Sequence, residues 1–185
     1  MIGVTELRKG VTFALEGEVY RVLEYQHHKP GRGSATIRTK LRNLRTGATL
    51  DRNFISGDRV QDIRLDRRTV QYLYNDGNLY YFMDMDTYEQ PALPAEVIGD
   101  AANYLKEGIT IDVSFYQGEP LDIELPITVE LEVTTTQPGV KGDTATGATK
   151  AATLETGLVV QVPLFVSEGD IVRVDTRTGQ YLTRA

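Results

Sequence analysis

Apolar and polar positions alternate along most of this chain with a period of two, the spacing that puts successive side chains on opposite faces of an extended strand. Residues 19–25 are dense in β-branched and aromatic side chains, and residues 36–41 alternate with Arg38 and Lys40 on one face. Residues 69–74 and 79–83 flank Asn75-Asp76-Gly77-Asn78, residue types that tolerate positive φ and signal a hairpin. The same pattern predicts strands over 109–115, 121–125, 127–133, 158–162 and 171–174, with a last strand carrying Tyr181 and Arg184. Thr46-Gly47, Thr156-Gly157 and Thr178-Gly179 mark turns. The pattern predicts one short helix, residues 100–105, with Asp100 as its N-cap. Many short strands punctuated by turns predict an all-β chain of barrels or sandwiches.

Charge divides this run of strands. Residues 1–64 carry twelve Lys and Arg against seven Asp and Glu, a net of +5, whereas residues 65–126 carry three against twelve, a net of −9. Residues 127–185 carry five against seven, so the whole-chain charge of −6 hides a basic first third. A basic segment suits phosphate, and an acidic one avoids it or faces a protein; solvated strands that simply differ in charge are the plainer reading. A second seam lies at Leu125-Pro126-Ile127, where proline interrupts two strand runs. Three modules follow, 1–64, 65–126 and 127–185, each of a size for a small barrel.

Composition removes several function classes. The 185 residues are 41% hydrophobic, enough to bury a core, so a disordered chain is excluded. No stretch reaches the roughly 18–20 apolar residues of a membrane-spanning helix, and no membrane partner is expected. The first residues lack the charged-then-apolar layout of a signal peptide. With no cysteine there is no disulfide framework, thiolate nucleophile or cysteine zinc site, which fits an expected cytoplasmic location.

Candidate enzyme chemistry is thin. His27 and His28 are adjacent, so on a strand they point to opposite faces and do not share a metal. Asp84 and Asp86 would share a strand face and could hold a divalent ion, or simply end a solvated strand. Gly31-Arg32-Gly33 is followed by a strand and not a helix, so it is no dinucleotide fingerprint. No metal, no cofactor and no enzymatic activity are expected.

The sharpest feature is the loop Lys29-Pro30-Gly31-Arg32-Gly33-Ser34-Ala35 between two basic strands. Glycines beside Arg32 let the backbone approach another surface, and Pro30 stiffens the loop. One guanidinium, permanently charged with five donors in a planar fork, would then stand at the end of a narrow prong. Lys29, Lys40, Arg42 and Arg45 would grip backbone phosphates. The loop also reads as a plain glycine-rich hairpin with an incidental arginine. A second loop, Gly142-Asp143-Thr144-Ala145-Thr146-Gly147, suits backbone hydrogen bonding to RNA or protein, or is a mobile connection. Residues 150–157 read as a turn leading into a buried strand that ends at Pro163.

The spacing of Lys150, Ala152, Gly157, Val160, Val162-Pro163, Val166 and Gly169, with the Pro30-Gly31-Arg32-Gly33 tip and the Gly142–Gly147 loop, resembles the bacterial translation elongation factor P family along the whole chain. The resemblance implies an SH3-like (KOW-type) N-terminal barrel followed by two OB-fold barrels, in an L-shaped, tRNA-mimicking arrangement. It implies a non-enzymatic, monomeric factor that binds the 70S ribosome between the P and E sites, contacts both subunits and P-site tRNA, and relieves stalling at consecutive prolines. Pro30, Gly31, Arg32, Gly33 and Ser34 would meet the tRNA acceptor end, and Gly142, Asp143, Thr144 and Gly147 the small subunit and E-site codon. Tyr181 and Arg184 would touch RNA, unless Tyr181 is core. Some members carry a modified lysine at the tip; Arg32 excludes that amine chemistry. Other members rhamnosylate a tip arginine, so Arg32 is either a substrate for an arginine-modifying glycosyltransferase or acts bare. A paralogue of the family and a general RNA-binding barrel protein are the alternatives.

Overall fold

A computed structural model describes residues 1–139 and 148–185, and sixteen strands lie among the described residues. The first sheet holds β1 (Ile2–Gly3), β2 (Thr12–Leu15), β3 (Glu18–His28), β4 (Thr36–Asn43), β5 (Thr49–Ile55) and β6 (Arg59–Asp62), in the order β1-β6-β2-β3-β4-β5. The second holds β7 (Asp66–Asn75), β8 (Leu79–Asp84), β9 (Ala92–Pro94), β10 (Thr110–Tyr116) and β11 (Glu119–Glu124), in the order β11-β10-β7-β8-β9. The third holds β12 (Thr128–Thr136), β13 (Thr149–Leu154), β14 (Val159–Pro163), β15 (Ile171–Asp175) and β16 (Tyr181–Arg184), in the order β14-β13-β12-β15-β16. By contacts the chain forms two compact units, Met1–Arg67 with Ser114–Asp122, and Arg68–Val113 with Ile123–Ala185.

Period-two patterning dictates these sheets. Along β4 the residues alternate strictly, Ile37, Thr39, Leu41 and Asn43 buried and Arg38, Lys40 and Arg42 exposed. The inward set joins Val4, Leu7, Phe13, Tyr20, Val22, Phe54 and Val60 in one core, where Phe13 meets Phe54 edge-on at 6.3 Å. Thr39, polar on that inward face, donates its hydroxyl to the Arg52 carbonyl at 2.7 Å and so leaves no unmet group. In the third sheet Val129, Leu131, Val133, Leu154, Val160, Val162, Val172 and Val174 bury against one another. Two hairpins close in two residues, Glu16-Gly17 (φ 54° and 81°) and Gln117-Gly118 (φ 50° and 81°). Positive φ at both positions matches the right-handed twist of the flanking strands.

Two expectations are corrected. The helix begins earlier, as α1 (Ala95–Ile98) after Pro94, and continues as a 3-10 helix over Gly99–Tyr104. Asp100 lies inside that second piece and makes no cap bond, because the break falls at Gly99, whose φ is +52°. Residues read as a turn from Lys150 are the strand β13, paired with β14 through Lys150↔Val162 and Ala152↔Val160, with Ala152 and Leu154 buried. Among the described residues no helix is long and apolar enough to cross a membrane.

Candidate nucleic-acid interface

The β3–β4 hairpin runs in antiparallel register from Tyr20↔Asn43 to His28↔Thr36, so residues 29–35 form its tip. The register shifts between Val22 and Glu24, a bulge that re-aims the outer arm. At the tip Gly31, Arg32, Gly33 and Ser34 are exposed and Pro30 is half-buried. A side chain at Gly31 would meet nothing within 4 Å, while Gly33 sits at φ +97°, a backbone conformation that favours glycine. Arg32 is thus carried on a tip with bare backbone on either side.

Behind it, Arg38, Lys40 and Arg42 stand in a row on the outer face of β4, about 6.6 Å apart by strand rise. The side chains of Lys29, Arg32, Arg38, Lys40 and Arg42 make no hydrogen bond or ion pair with any described residue. Register explains part of this. Arg21 lies directly across from Arg42, a like-charge pair that would repel, but the Arg21 guanidinium closes on Asp122 at 2.6 Å and leaves Arg42 unengaged. Lys40 stands between Glu24 and Asp51, and Arg38 between Gln26 and Asn53. These residues line a shallow polar hollow of about 330 Å³. Gln26 and Asn53 carry no sequence signal of their own, since only the pairing of three strands puts their amides beside Arg38.

Arg45 does not belong with this row. It lies beyond the far end of β4 from the tip, donates to the Gly17 carbonyl at 2.6 Å and pairs with Glu119 at 3.4 Å. Its charge holds the β10–β11 hairpin against the first sheet, alongside the Arg21–Asp122 pair and the contact of Leu121 with Val19 and Leu44. His27 and His28 are exposed, and among the described residues no group of three His, Cys, Asp or Glu side chains could hold a metal ion.

Asp84 and Asp86 do not share a strand face. Asp84 ends β8 and is buried, and its carboxylate accepts from the backbone N–H of Asp86 at 2.8 Å and of Thr87 at 3.1 Å. Those N–H donors, with Arg68 at 3.4 Å, hold its carboxyl below the usual carboxylate range. It is a turn cap, with Asp86 in the turn it caps. Tyr181 is half-buried against the third-sheet core, and Arg184 lies over the Phe165 ring at 5.2 Å, 3.8 Å from Asp170. Gly142, Asp143, Thr144 and Gly147 lie outside the described residues.

Comparison with known proteins gives this geometry a lineage. Family models match in series: the elongation factor P KOW-like domain over residues 3–60, its OB domain over 65–123 and its C-terminal domain over 129–184. Elongation factor P of Moorella thermoacetica is 55% identical over 185 residues, covering all of both chains. That of Pelotomaculum thermopropionicum is 54% identical over 184 residues, again with full coverage of both. The chain belongs to the elongation factor P family. Among solved structures, eukaryotic translation initiation factor 5A from Methanococcus jannaschii aligns with a TM-score of 0.55 at 22% identity. That alignment covers 68% of this chain and 90% of the other, a likeness of fold.

As a member of the elongation factor P family the chain is a translation elongation factor, and its basic prong falls within the KOW-like match. Most of the signature that carried the resemblance is structural. Val160, Val162 and Val166 are buried in the third-sheet core, Ala152 packs beside them, and the Lys150 ammonium donates to the Gln137 carbonyl. Gly31, Arg32, Gly33 and Ser34 at the tip, by contrast, are exposed.

Proposed function

We propose that this elongation factor binds the ribosome between the P and E sites, contacts P-site tRNA and stimulates peptide-bond formation at consecutive prolines. The observation that carries the reading is the cationic row: Lys29, Arg32, Arg38, Lys40 and Arg42 share one hairpin and pair with no described residue. Cations kept out of internal pairs are the ones a phosphate backbone can recruit, with release of its counterions.

In this reading Lys29, Lys40 and Arg42 lie along tRNA phosphates, and the 30–34 tip reaches the CCA end. Proline is a constrained donor and acceptor, so the reacting ends are poorly placed; fixing one of them lowers the barrier by orientation. Arg32 stays protonated and moves no proton, so the factor works by positioning and is not an enzyme. The three segments 1–64, 65–126 and 127–185 act as successive modules of a cytoplasmic monomer. Gly142, Asp143, Thr144 and Gly147 face the small subunit, and Tyr181 and Arg184 contact RNA. The acidic second segment fits a surface turned away from RNA.

Synthesis of a triple-proline peptide on purified ribosomes tests this, comparing no factor, this protein and Arg32→Ala. Rescue by the wild type and its loss in Arg32→Ala is the expected outcome. Rescue only by protein from the native host assigns Arg32 to a glycosyltransferase. Failure of both preparations sinks the reading.

A further inference from the structure

The second unit contains a cleft that the proposed function does not use. It measures about 380 Å³ and is lined by Tyr72, Asn75, Tyr80, Asn103, Lys106 and Glu155, among others. Its frame is fixed. The Asn75 amide donates to the Tyr72 hydroxyl at 2.7 Å, and the Thr156 hydroxyl donates to the Asn103 carbonyl at 2.6 Å, tying the 3-10 turn to the β13–β14 turn. Tyr72 is buried and backs the half-buried Tyr80, with ring centroids 6.1 Å apart at 35°.

Within that frame three polar groups are left over. The Asn103 side-chain amide, the Lys106 ammonium and the Tyr80 hydroxyl make no hydrogen bond or ion pair with any described residue, although Asn103, Lys106 and Tyr80 are all half-buried. None of these polar atoms is sealed from solvent, so all three stand open around one hollow walled by Tyr72 and Tyr80, free to meet an external ligand. An amide offers a donor and an acceptor side by side, the complement of a nucleobase edge. An aromatic ring offers a stacking surface for any base. Glu155 takes the Glu132 N–H on one carboxylate oxygen at 3.0 Å, leaving the other for a hydroxyl donor. Lys106 is the one cation among the lining residues, and with Glu107 and Glu155 beside it the cleft offers a phosphate a single contact and disfavours a polyphosphate.

We propose that this cleft binds one unpaired ribonucleotide. The base stacks on Tyr80 and meets the Asn103 amide, the ribose 2′-hydroxyl donates to Glu155, and the phosphate pairs with Lys106. The volume, about 380 Å³ and near the lower end for ligand sites, is of a size for one nucleotide. This goes beyond the ribosomal reading and is independent of it, because the site is complete in the free protein.

Titration of the full-length, isotopically labelled protein with 5′-AMP, CMP, GMP and UMP, followed through backbone amide shifts, tests it without ribosomes. Saturable shifts at residues 102–107 and 155–156 are expected with at least one ribonucleotide. The 2′-deoxy counterpart should bind several-fold more weakly. Asn103→Ala and Lys106→Ala should each weaken binding about tenfold while leaving the remaining spectrum in place. Neither side chain bonds any described residue, so folding should survive either change. A single-stranded trinucleotide in a parallel titration separates the sources: tighter binding than the mononucleotide points to an RNA strand, weaker binding to a free nucleotide. Absence of saturable shifts at those amides, equal affinity for the deoxy ligand, or indifference to both substitutions overturns the proposal.

Discussion

The outer faces of the first and third sheets carry the same kind of residue in opposite states. On β4, Arg38, Lys40 and Arg42 alternate outward with no partner among the described residues, even where Glu24 and Asp51 stand on either side of Lys40. On and after β15 each cation is engaged: Arg173 with Glu130 at 3.0 Å, Arg177 with Asp175 at 3.0 Å, and Arg184 with Asp170 and the Phe165 ring. The arginines of 171–185 are thus tied into the fold, whereas Arg38 and Arg42 on β4 have no partner among the described residues. Register accounts for part of the difference: Arg173 faces Glu130 across β12 and β15, whereas Arg38 faces Gln26 and Asn53, and Arg42 faces Arg21.

The comparison can be broken most decisively at the tip. Arg32→Lys keeps the charge and discards the planar fork. It should retain only part of the triple-proline synthesis rate while leaving the melting temperature unchanged, and full activity would mean that charge alone matters. Next, replacing Arg38, Lys40 and Arg42 together by Ala should flatten the salt dependence of tRNA affinity by roughly one unit of log–log slope per contact removed. The matched control, Arg173→Ala with Arg177→Ala, should leave that slope untouched.

Stability should answer in the reverse pattern. Arg21→Ala strands the partly buried Asp122 and should cost about 1–3 kcal/mol in chemical denaturation, with RNA affinity nearly unchanged. Asp175 supplies a pH handle. Its carboxyl is held below the usual range, first by the Arg177 side chain and then by the Arg177 backbone N–H. A depressed folded value means the stabilisation is complete above the ordinary carboxylate value of 3.8 and disappears as pH falls through the folded value. Denaturation curves across that acid range should therefore show a loss that Asp175→Asn removes. Smallest of all, Arg173→Ala breaks a half-exposed pair and should cost about 0.5 kcal/mol at low salt and less at high salt.

How much of this was legible in the sequence depended on how local each cause is. Strands β3, β4, β7, β8, β12 and β15 showed themselves because one face of each is buried and alternation follows. β5 did not, since Asp51, Arg52 and Asn53 interrupt it; an edge strand tolerates such a run because little of it is buried. β13 read as a turn because Lys150 and Thr153 mask the inward pair Ala152 and Leu154. At the hairpin tip, the glycines beside Arg32 were a local cue to an exposed loop, and residues 31–34 are exposed. Arg45 offered only its charge, and its partner Glu119 lies in a different sheet, so no spacing rule could have shown that it pairs within the fold. Asp84 similarly looked like half of a carboxylate pair until the backbone turned under it.

The β3–β4 hairpin also has a consequence for length. Because side chains alternate with period two, its reach can change only in steps of two residues per arm, about 6.6 Å, if the basic face is to stay outward. A single-residue change in β4 would swing Arg38, Lys40 and Arg42 inward and Ile37 and Leu41 into water. The distance between the cationic row and the tip guanidinium is in that sense a graduated ruler. The bulge between Val22 and Glu24 is the one described place in this hairpin where an odd residue has been taken up without losing the face.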